Sequence, residues 1–154
     1  MTADTPTDLL VGIAEELHAA GVGLWGGLNA VAAASPTLPA IVLRQLPSEP
    51  AYVLALYHYR LSADAKLTDS IIGVNFRARS GTKNPGPASL ALEAVFLRLH
   101  ALGRFRFGIG TDHELRITDM YWQSEADLGP DANGRPERSA NYYVQLNQPN
   151  TARE

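Results

Sequence analysis

The sequence contains no cysteine, and this absence removes a whole set of chemistries. Without cysteine among its 154 residues, the chain has no disulfides, no thiolate metal site and no cysteine nucleophile. Lysine is scarce as well, because eleven of the 13 basic residues are arginine. Arginine is the better residue for ion pairs at interfaces.

Large net charge and long apolar runs are missing too. With 13 basic and 16 acidic residues the formal charge is −3, which argues against a surface that grips nucleic acid or anionic lipid throughout. A local basic patch stays compatible with this balance. No run approaches the roughly 18 apolar residues of a membrane span, and the stretch MTADTPTDLL lacks the features of a signal peptide. We therefore expect no membrane contact and assembly in a cytoplasm.

The composition itself is that of a globular protein. Hydrophobic residues make up 45% and charged residues 19% of the chain, and a disordered chain would have fewer of the former. The length suits one domain with a real core. We predict a single domain over residues 1–154, with a flexible tail at 148–154.

Two segments have the apolar spacing of amphipathic helices. In the first, Thr5 is placed as the N-cap with Pro6 at the first helical position, and Gly21 stops the helix. Its apolar stripe is Leu9, Leu10, Ile13, Ala14 and Leu17. The second covers residues 88–103 and ends at Gly103. Its stripe is Leu92, Val95, Phe96, Leu99 and Leu102.

The remaining segments read mainly as strands. Residues 51–61 form a continuous apolar and aromatic run, and residues 71–79 alternate with period two, so both are predicted as strands. The link between them is short and polar, so we expect the pair to be antiparallel. Further short strands are predicted at 40–47 and 104–108. Residues 22–39 read as a loop or a short irregular strand. The fold class that follows is α+β, with a single mostly antiparallel sheet and both helices packed on one face.

The last two predicted strands, at 115–123 and 139–147, are separated by an unusually long polar segment. Ser124–Ser139 is dense in Gly, Pro, Asp, Asn and Arg, whereas an ordinary hairpin connection takes about two to five residues. We interpret this segment as a long loop between the last two strands, charged at its tip.

The sequence contains no complete motif for catalysis, cofactor binding or metal binding. GVGLWG (21–26) has the spacing of a dinucleotide fingerprint but follows a helix instead of a strand. DANG (131–134) suggests a calcium loop, yet the first and twelfth positions fall on Gly129 and Ala140, where carboxylates are required. The four histidines form no metal-binding or triad signature. We predict no catalytic residues, no cofactor and no metal.

Aromatic residues cluster on the last two strands, close to arginines in sequence. Tyr121, Trp122, Tyr142 and Tyr143 suit core packing, a subunit interface or stacking on single-stranded bases. Neighbouring Tyr121 and Trp122 must face opposite sides of their strand, so at least one of them leaves the core side. The pattern alone leaves the three interpretations open.

One long pattern stands out between residues 128 and 143, Leu-Gly-x-Asp-x-Asn-Gly-Arg-x-Glu-Arg-Ser-x-Asn-Tyr-Tyr. With it go further residues upstream, and the whole set is Gly73, Val74, Arg77, Arg79, Gln123, Ser124, Leu128, Gly129, Asp131, Asn133, Gly134, Arg135, Glu137, Arg138, Ser139, Asn141, Tyr142 and Tyr143. In these residues the chain resembles, over roughly residues 52–147, the tail terminator proteins of long-tailed bacteriophages, which are often labelled minor capsid proteins. Residues 21–47 match no family pattern.

The resemblance implies a structural virion protein and not an enzyme. Such proteins form a homo-hexameric ring that caps the tail tube and joins the tail to the head-side connector. The implied partners are further copies of the chain, the tail tube protein and the head-side connector or stopper protein. DNA would pass through as non-specific cargo. The implied location is the tail or neck of the virion, after assembly in the host cytoplasm.

Closed rings need heterologous contacts, in which one patch of a subunit meets a different patch of the next. We therefore predict a subunit interface on the long polar segment and its surroundings. Its residues are Arg77, Arg79, Tyr121, Trp122, Asp131, Asn133, Arg135, Glu137 and Arg138. Two alternatives remain: a head–tail neck or completion protein that binds the connector instead of the tube, and a small host-side enzyme or ligand-binding domain.

Overall fold

The computed structural model of the protein describes residues 5–33, 35–63 and 69–147, and within them lies an α+β fold. A seven-stranded sheet has the strand order β1-β2-β3-β4-β7-β6-β5. The elements are α1 (Thr5–Ala19), β1 (Leu24–Trp25), β2 (Ala40–Leu43), β3 (Val53–Ala63), β4 (Asp69–Arg79), α2 (Gly86–Leu99), β5 (Phe105–Phe107), β6 (Leu115–Pro130) and β7 (Pro136–Asn147).

Both predicted helices form, but the second ends at Leu99 instead of Gly103, which leaves Leu102 of its predicted stripe outside the helix. All five stripe residues of α1 are fully buried, and the helix ends two residues before Gly21, whose φ of 77° suits the chain reversal there. In α2 the buried residues are Ala88, Ala91, Leu92, Val95 and Leu99. Phe96 stays half-buried and stacks on His100 with ring centroids 4.6 Å apart.

One hydrophobic core joins the helices to the sheet. The buried side chains of α1 and α2 belong to the same cluster as alternate residues of β3 and β4, such as Leu54, Val74 and Phe76. The other face of β2 and β3 carries a small separate cluster of Val42, Val53 and Ala55. Alternation along each strand thus assigns residues to the core or to the opposite face, which we call the open face.

The sheet is mixed, so the prediction of a mostly antiparallel sheet is wrong. The pairs β3–β4, β4–β7, β6–β7 and β5–β6 are antiparallel. The pairs β1–β2 and β2–β3 are parallel. The difference arises in residues 21–43, where a Gly- and Ala-rich segment adds two short strands alongside β3. Segments of two and four residues are too short to show their pairing direction through periodicity.

The predicted long loop between the last two strands is also wrong. β6 continues to Pro130 and β7 begins at Pro136, so only residues 131–135 connect them. The glycines and prolines on which the loop prediction rested lie in the hairpin itself, at a register shift and beside its turn. Gly129 lies at a register shift with φ of 77°, and Pro130 pairs with Pro136 beside the turn, where few ladder donors are needed.

Candidate interaction surfaces

The hairpin turn is held by one carboxylate. Asp131 Oδ1 accepts hydrogen bonds from the backbone N–H groups of Asn133 and Arg135 at 2.9 and 2.8 Å. Its Oδ2 accepts from Arg135 Nε at 2.9 Å. These backbone and side-chain hydrogen bonds from Arg135 lower the pKa of Asp131. The DANG sequence is therefore turn chemistry, and Gly134 supplies the positive φ of 78° that the turn requires.

Arg79 and Arg135 are buried and converge on the loop of residues 47–51. The side chain of Arg79 is 3% exposed, and its Nε donates to the Ala51 carbonyl at 2.9 Å. Its Nη2 donates to the carbonyls of Pro47 and Pro50 at 2.5 and 3.1 Å. Arg135 Nη1 donates to the Ser48 carbonyl at 3.0 Å. Burial, with the nearby charge of Arg135, lowers the pKa of Arg79.

Arg77 and Glu137 form an ion pair across β4 and β7 on the open face. Arg77 Nη2 lies 2.6 Å from Glu137 Oε1, and the Glu137 side chain is nearly buried. Further along the same face, Asn75 Nδ2 donates to Asn141 Oδ1 at 3.0 Å, and Asn141 Nδ2 donates to Ser124 Oγ at 3.2 Å. The open face thus carries a hydrogen-bonded row that spans β4, β7 and β6.

The aromatic residues separate between the two faces. Tyr121 packs against Tyr143 on the open face, with ring centroids 5.9 Å apart and an interplanar angle of 72°. Trp122 is 36% exposed, and its Nε1 donates to Glu125 Oε2 at 3.1 Å. Tyr142 alone among them is fully buried, against Phe76 at 5.2 Å. Core packing therefore accounts for Tyr142 and leaves Trp122 at the surface.

The nine predicted interface residues form several small groups instead of one patch. Asp131 pairs with Arg135, and Arg77 pairs with Glu137. Arg138 shares Glu125 with Trp122, at an Nη2–Oε1 distance of 3.4 Å. Tyr121 lies on the open face, Arg79 is buried, and Asn133 is exposed at the turn.

Two features of the structure went unpredicted. Ser80 is fully buried; its Oγ accepts the Ala88 N–H of α2 at 3.0 Å, and its own N–H donates to the Pro136 carbonyl at 2.9 Å. A serine shortly before a Pro-containing helix start is the signal that would have indicated it. The second feature is a group of arginines beside β5, for which the alternation in RFRFG was the available signal.

Other kinds of site find no support in the described ranges. No group of three or more His, Asp or Glu side chains there is arranged to hold a metal ion. No helix in those ranges is long and apolar enough to cross a membrane.

A comparison with protein families assigns the chain to one of them. The family model described as bacteriophage tail terminator protein matches residues 16–148. Because this match spans most of the chain, the protein belongs to the bacteriophage tail terminator family. It is a structural protein of the phage tail, from a family that is not one of enzymes, and its place is in the virion. A search of curated proteins finds no match.

Proposed function

We propose that the chain forms a homo-oligomeric ring of six copies that ends the growth of the tail tube and joins the finished tail to the head-side connector. The observation that carries the proposal is the family match over residues 16–148. DNA passes through such a ring without being read, and the formal charge of −3 gives the protein no general affinity for it.

Two unlike surfaces of the sheet support a head-to-tail arrangement, because a ring requires two unlike patches that meet after a rotation. One is the edge at β1, an outermost strand of two residues. The other is the outer side of β6, since β5 pairs only with residues 115–117 of its sixteen. Trp122 and Leu128, 36% and 44% exposed, lie on this remaining part.

Within the predicted interface, Trp122, Arg138 and Asn133 are the residues that we place against a neighbouring subunit. Arg138 is 30% exposed in its side chain, and an exposed tryptophan beside an arginine is a common interface hot spot. Arg79 and Arg135 contribute by holding the hairpin base in place, because both are occupied by the loop of residues 47–51.

The oligomer test uses the purified chain. Light scattering should give a mass near six times that of the 16.6 kDa chain, and electron microscopy should show closed rings end-on. Trp122→Glu should weaken assembly by about tenfold or more. Leu97→Glu is the matched control, because Leu97 is an exposed apolar residue (76%) on α2 instead of on β6. A monomeric wild type contradicts the ring, whereas assembly lost only in the control moves the interface to α2.

The role in the virion is tested by deleting the gene from the phage. Overlong tails indicate a terminator, because nothing then stops polymerisation of the tube. Tails of normal length that fail to join heads contradict this role and instead support a neck or completion protein that binds the connector.

A further inference from the structure

Three arginines lie together at the β5 end of the sheet. Arg106 of β5 is directly opposite Arg116 of β6 in the antiparallel register, and Arg104 precedes Arg106 by two residues. Phe107 and Ile117 point into the core, so alternation places Arg106 and Arg116 on the open face, and Arg104 lies in the bend just before β5. The three arginines line a groove of about 510 Å³ together with Phe105, Ile109 and Thr118.

The positive charge of this groove is poorly matched within the chain. Arg106 Nη1 lies 3.6 Å from Glu114 Oε2, and the two side chains are 50% and 28% exposed, so solvent weakens this ion pair. Within the described ranges, neither Arg104 nor Arg116 has an ion-pair partner. Like charges directly opposite on paired strands are destabilising. A protein of net charge −3 thus concentrates three of its eleven arginines at a position where they repel one another.

The edge of β5 adds a second recognition element. β5 ends the strand order, and no strand in the described ranges lies beyond it. Some of its backbone N–H and C=O groups therefore point outward, as they do along any edge strand. An extended peptide that adds to such an edge gains main-chain hydrogen bonds, and its alternate side chains meet the groups on one face.

We propose that the edge of β5 with Arg104, Arg106 and Arg116 is a docking site for an extended acidic peptide segment of another virion component. Carboxylates at alternate positions of the segment face the arginines, and an apolar side chain of the segment covers Ile109, which is 64% exposed. The inference draws on family membership for the source of the segment and goes beyond ring formation, since a single copy carries the whole site.

Two observations favour a peptide over other anionic occupants. A DNA backbone would use the arginines but would leave Ile109 and the strand edge without partners. A second copy of the chain is less suited, because the acidic side chains of its hairpin are already engaged. Glu125 pairs with Arg138, Asp127 accepts the Gly129 N–H at 3.0 Å, and Glu137 pairs with Arg77.

The test measures fluorescence anisotropy of a labelled decapeptide in which Glu alternates with Val. Binding should saturate and should weaken by about tenfold or more between about 0.05 M and about 0.5 M salt. The double variant Arg104→Gln, Arg116→Gln should weaken it by at least about tenfold. Arg60→Gln is the matched control, since Arg60 is another exposed arginine on a strand, and it should bind like the wild type.

Two further probes separate the components of the site. A decapeptide with Lys in place of Glu should not bind, and one with alternate N-methylated residues should bind about tenfold more weakly because it lacks main-chain donors. Circular dichroism establishes that the double variant is folded, and Arg116→Gln alone is the fallback variant.

The outcomes divide clearly. The proposal is overturned if no Glu peptide binds, if the double variant binds as well as the wild type, or if short duplex DNA binds more tightly and displaces the peptide. It is also overturned if the double variant lowers the mass of the oligomer and the assembled wild type excludes the peptide, because the edge is then a contact between copies. A chain that binds the peptide but stays monomeric contradicts the ring and leaves this site intact.

Discussion

Two groups of arginines in this chain differ in their environment: one group is buried and the other is exposed to solvent. Arg79 and Arg135 are buried and donate to the carbonyls of the loop of residues 47–51. Arg104 and Arg116, beside β5, are exposed, and Arg116 lies opposite a third arginine. In the first group the folded chain supplies the acceptors itself. In the second group it supplies few, so an acceptor from outside has room to bind.

The two groups differ in whether their charge contributes to the stability of the folded chain or is available to bind another molecule. A buried guanidinium must be hydrogen-bonded, because burying it without partners is costly. An exposed guanidinium is solvated by water and contributes little until a partner displaces that water. Arg79 and Arg135 therefore belong to the stability of the hairpin base, whereas the arginines beside β5 are available for binding.

The largest expected effect comes from breaking the first group with Arg79→Ala. This variant removes the donor from the carbonyls of Pro47, Pro50 and Ala51 and leaves a void in a buried site. We expect the free energy of unfolding to fall by about 3 kcal/mol, measured by urea denaturation at one fixed protein concentration.

Two matched variants sharpen this result. Arg79→Lys keeps the charge but lacks the planar fork that reaches several carbonyls, so an intermediate loss is expected. Arg60→Ala removes an exposed arginine and should change the free energy of unfolding by less than about 0.5 kcal/mol. Equal losses for Arg79→Ala and Arg60→Ala would mean that the buried hydrogen bonds contribute nothing.

The helices and the central strands were predictable because their periodicity is set by burial. Every stripe residue of α1 is buried, and residues 71–79 lie within β4 as their alternation predicts. The antiparallel pairing of β3 with β4 confirms the prediction made from the short link between them. The link at 64–68 lies outside the described residues. Alternation also placed Arg77 and Arg79 away from the core, but it could not reveal that a separate loop covers Arg79. That contact joins residues about thirty positions apart.

The hairpin shows where turn chemistry misleads. Gly129, Pro130, Gly134 and Pro136 read as a loop of sixteen residues, yet the actual connection is 131–135. Residues 123–128 of β6 are exposed on both faces of the strand and most of them are polar. The sequence there therefore lacks the alternation of apolar and polar residues that would have indicated a strand. Which of the predicted interface residues meets a neighbour depends on another chain, and the sequence pattern of one chain does not contain that geometry.

A smaller effect of opposite sign is expected in the second group. Arg116→Gln removes the repulsion with Arg106 across the β5–β6 pair. The free energy of unfolding should rise by about 0.5 kcal/mol, and the melting temperature should rise by about 1–2 °C. Arg106→Gln should gain less, because it also loses the ion pair with Glu114. A lower melting temperature for Arg116→Gln would mean that the folded chain provides Arg116 with a favourable partner.

The smallest expected effect concerns how the edge of β5 with Arg104, Arg106 and Arg116, which we call the arginine edge, is attached to the rest of the fold. Ile109 lies in the turn that joins β5 to β6, and His113 of that turn contacts α1 through Glu15, with Nε2 and Oε1 2.9 Å apart. This hydrogen bond to Glu15, together with the nearby Asp112, raises the pKa of His113. The carboxylates that face the imidazole therefore favour its protonated form in the folded state.

The sign of the pH dependence follows from the raised pKa. The stabilisation is complete below the ordinary histidine pKa of about 6.5 and is lost as the pH rises through the higher value of the folded state. His113→Gln should therefore lower the melting temperature more at about pH 6 than at about pH 8.5. The contribution is small because the Glu15 side chain is 41% exposed, where solvent screens the pair.

Glu15→Gln separates the ion pair from the packing of the imidazole ring. This variant keeps an oxygen acceptor for a neutral or charged His113 but removes the charge that raises the pKa of His113. In a protein that carries Glu15→Gln, His113→Gln should lower the melting temperature by nearly the same amount at the two pH values. Any loss that remains at both is then due to the packing of the imidazole ring. If His113→Gln lowers the melting temperature equally at both, the turn that carries Ile109 is held by shape, and the arginine edge is then attached independently of proton binding.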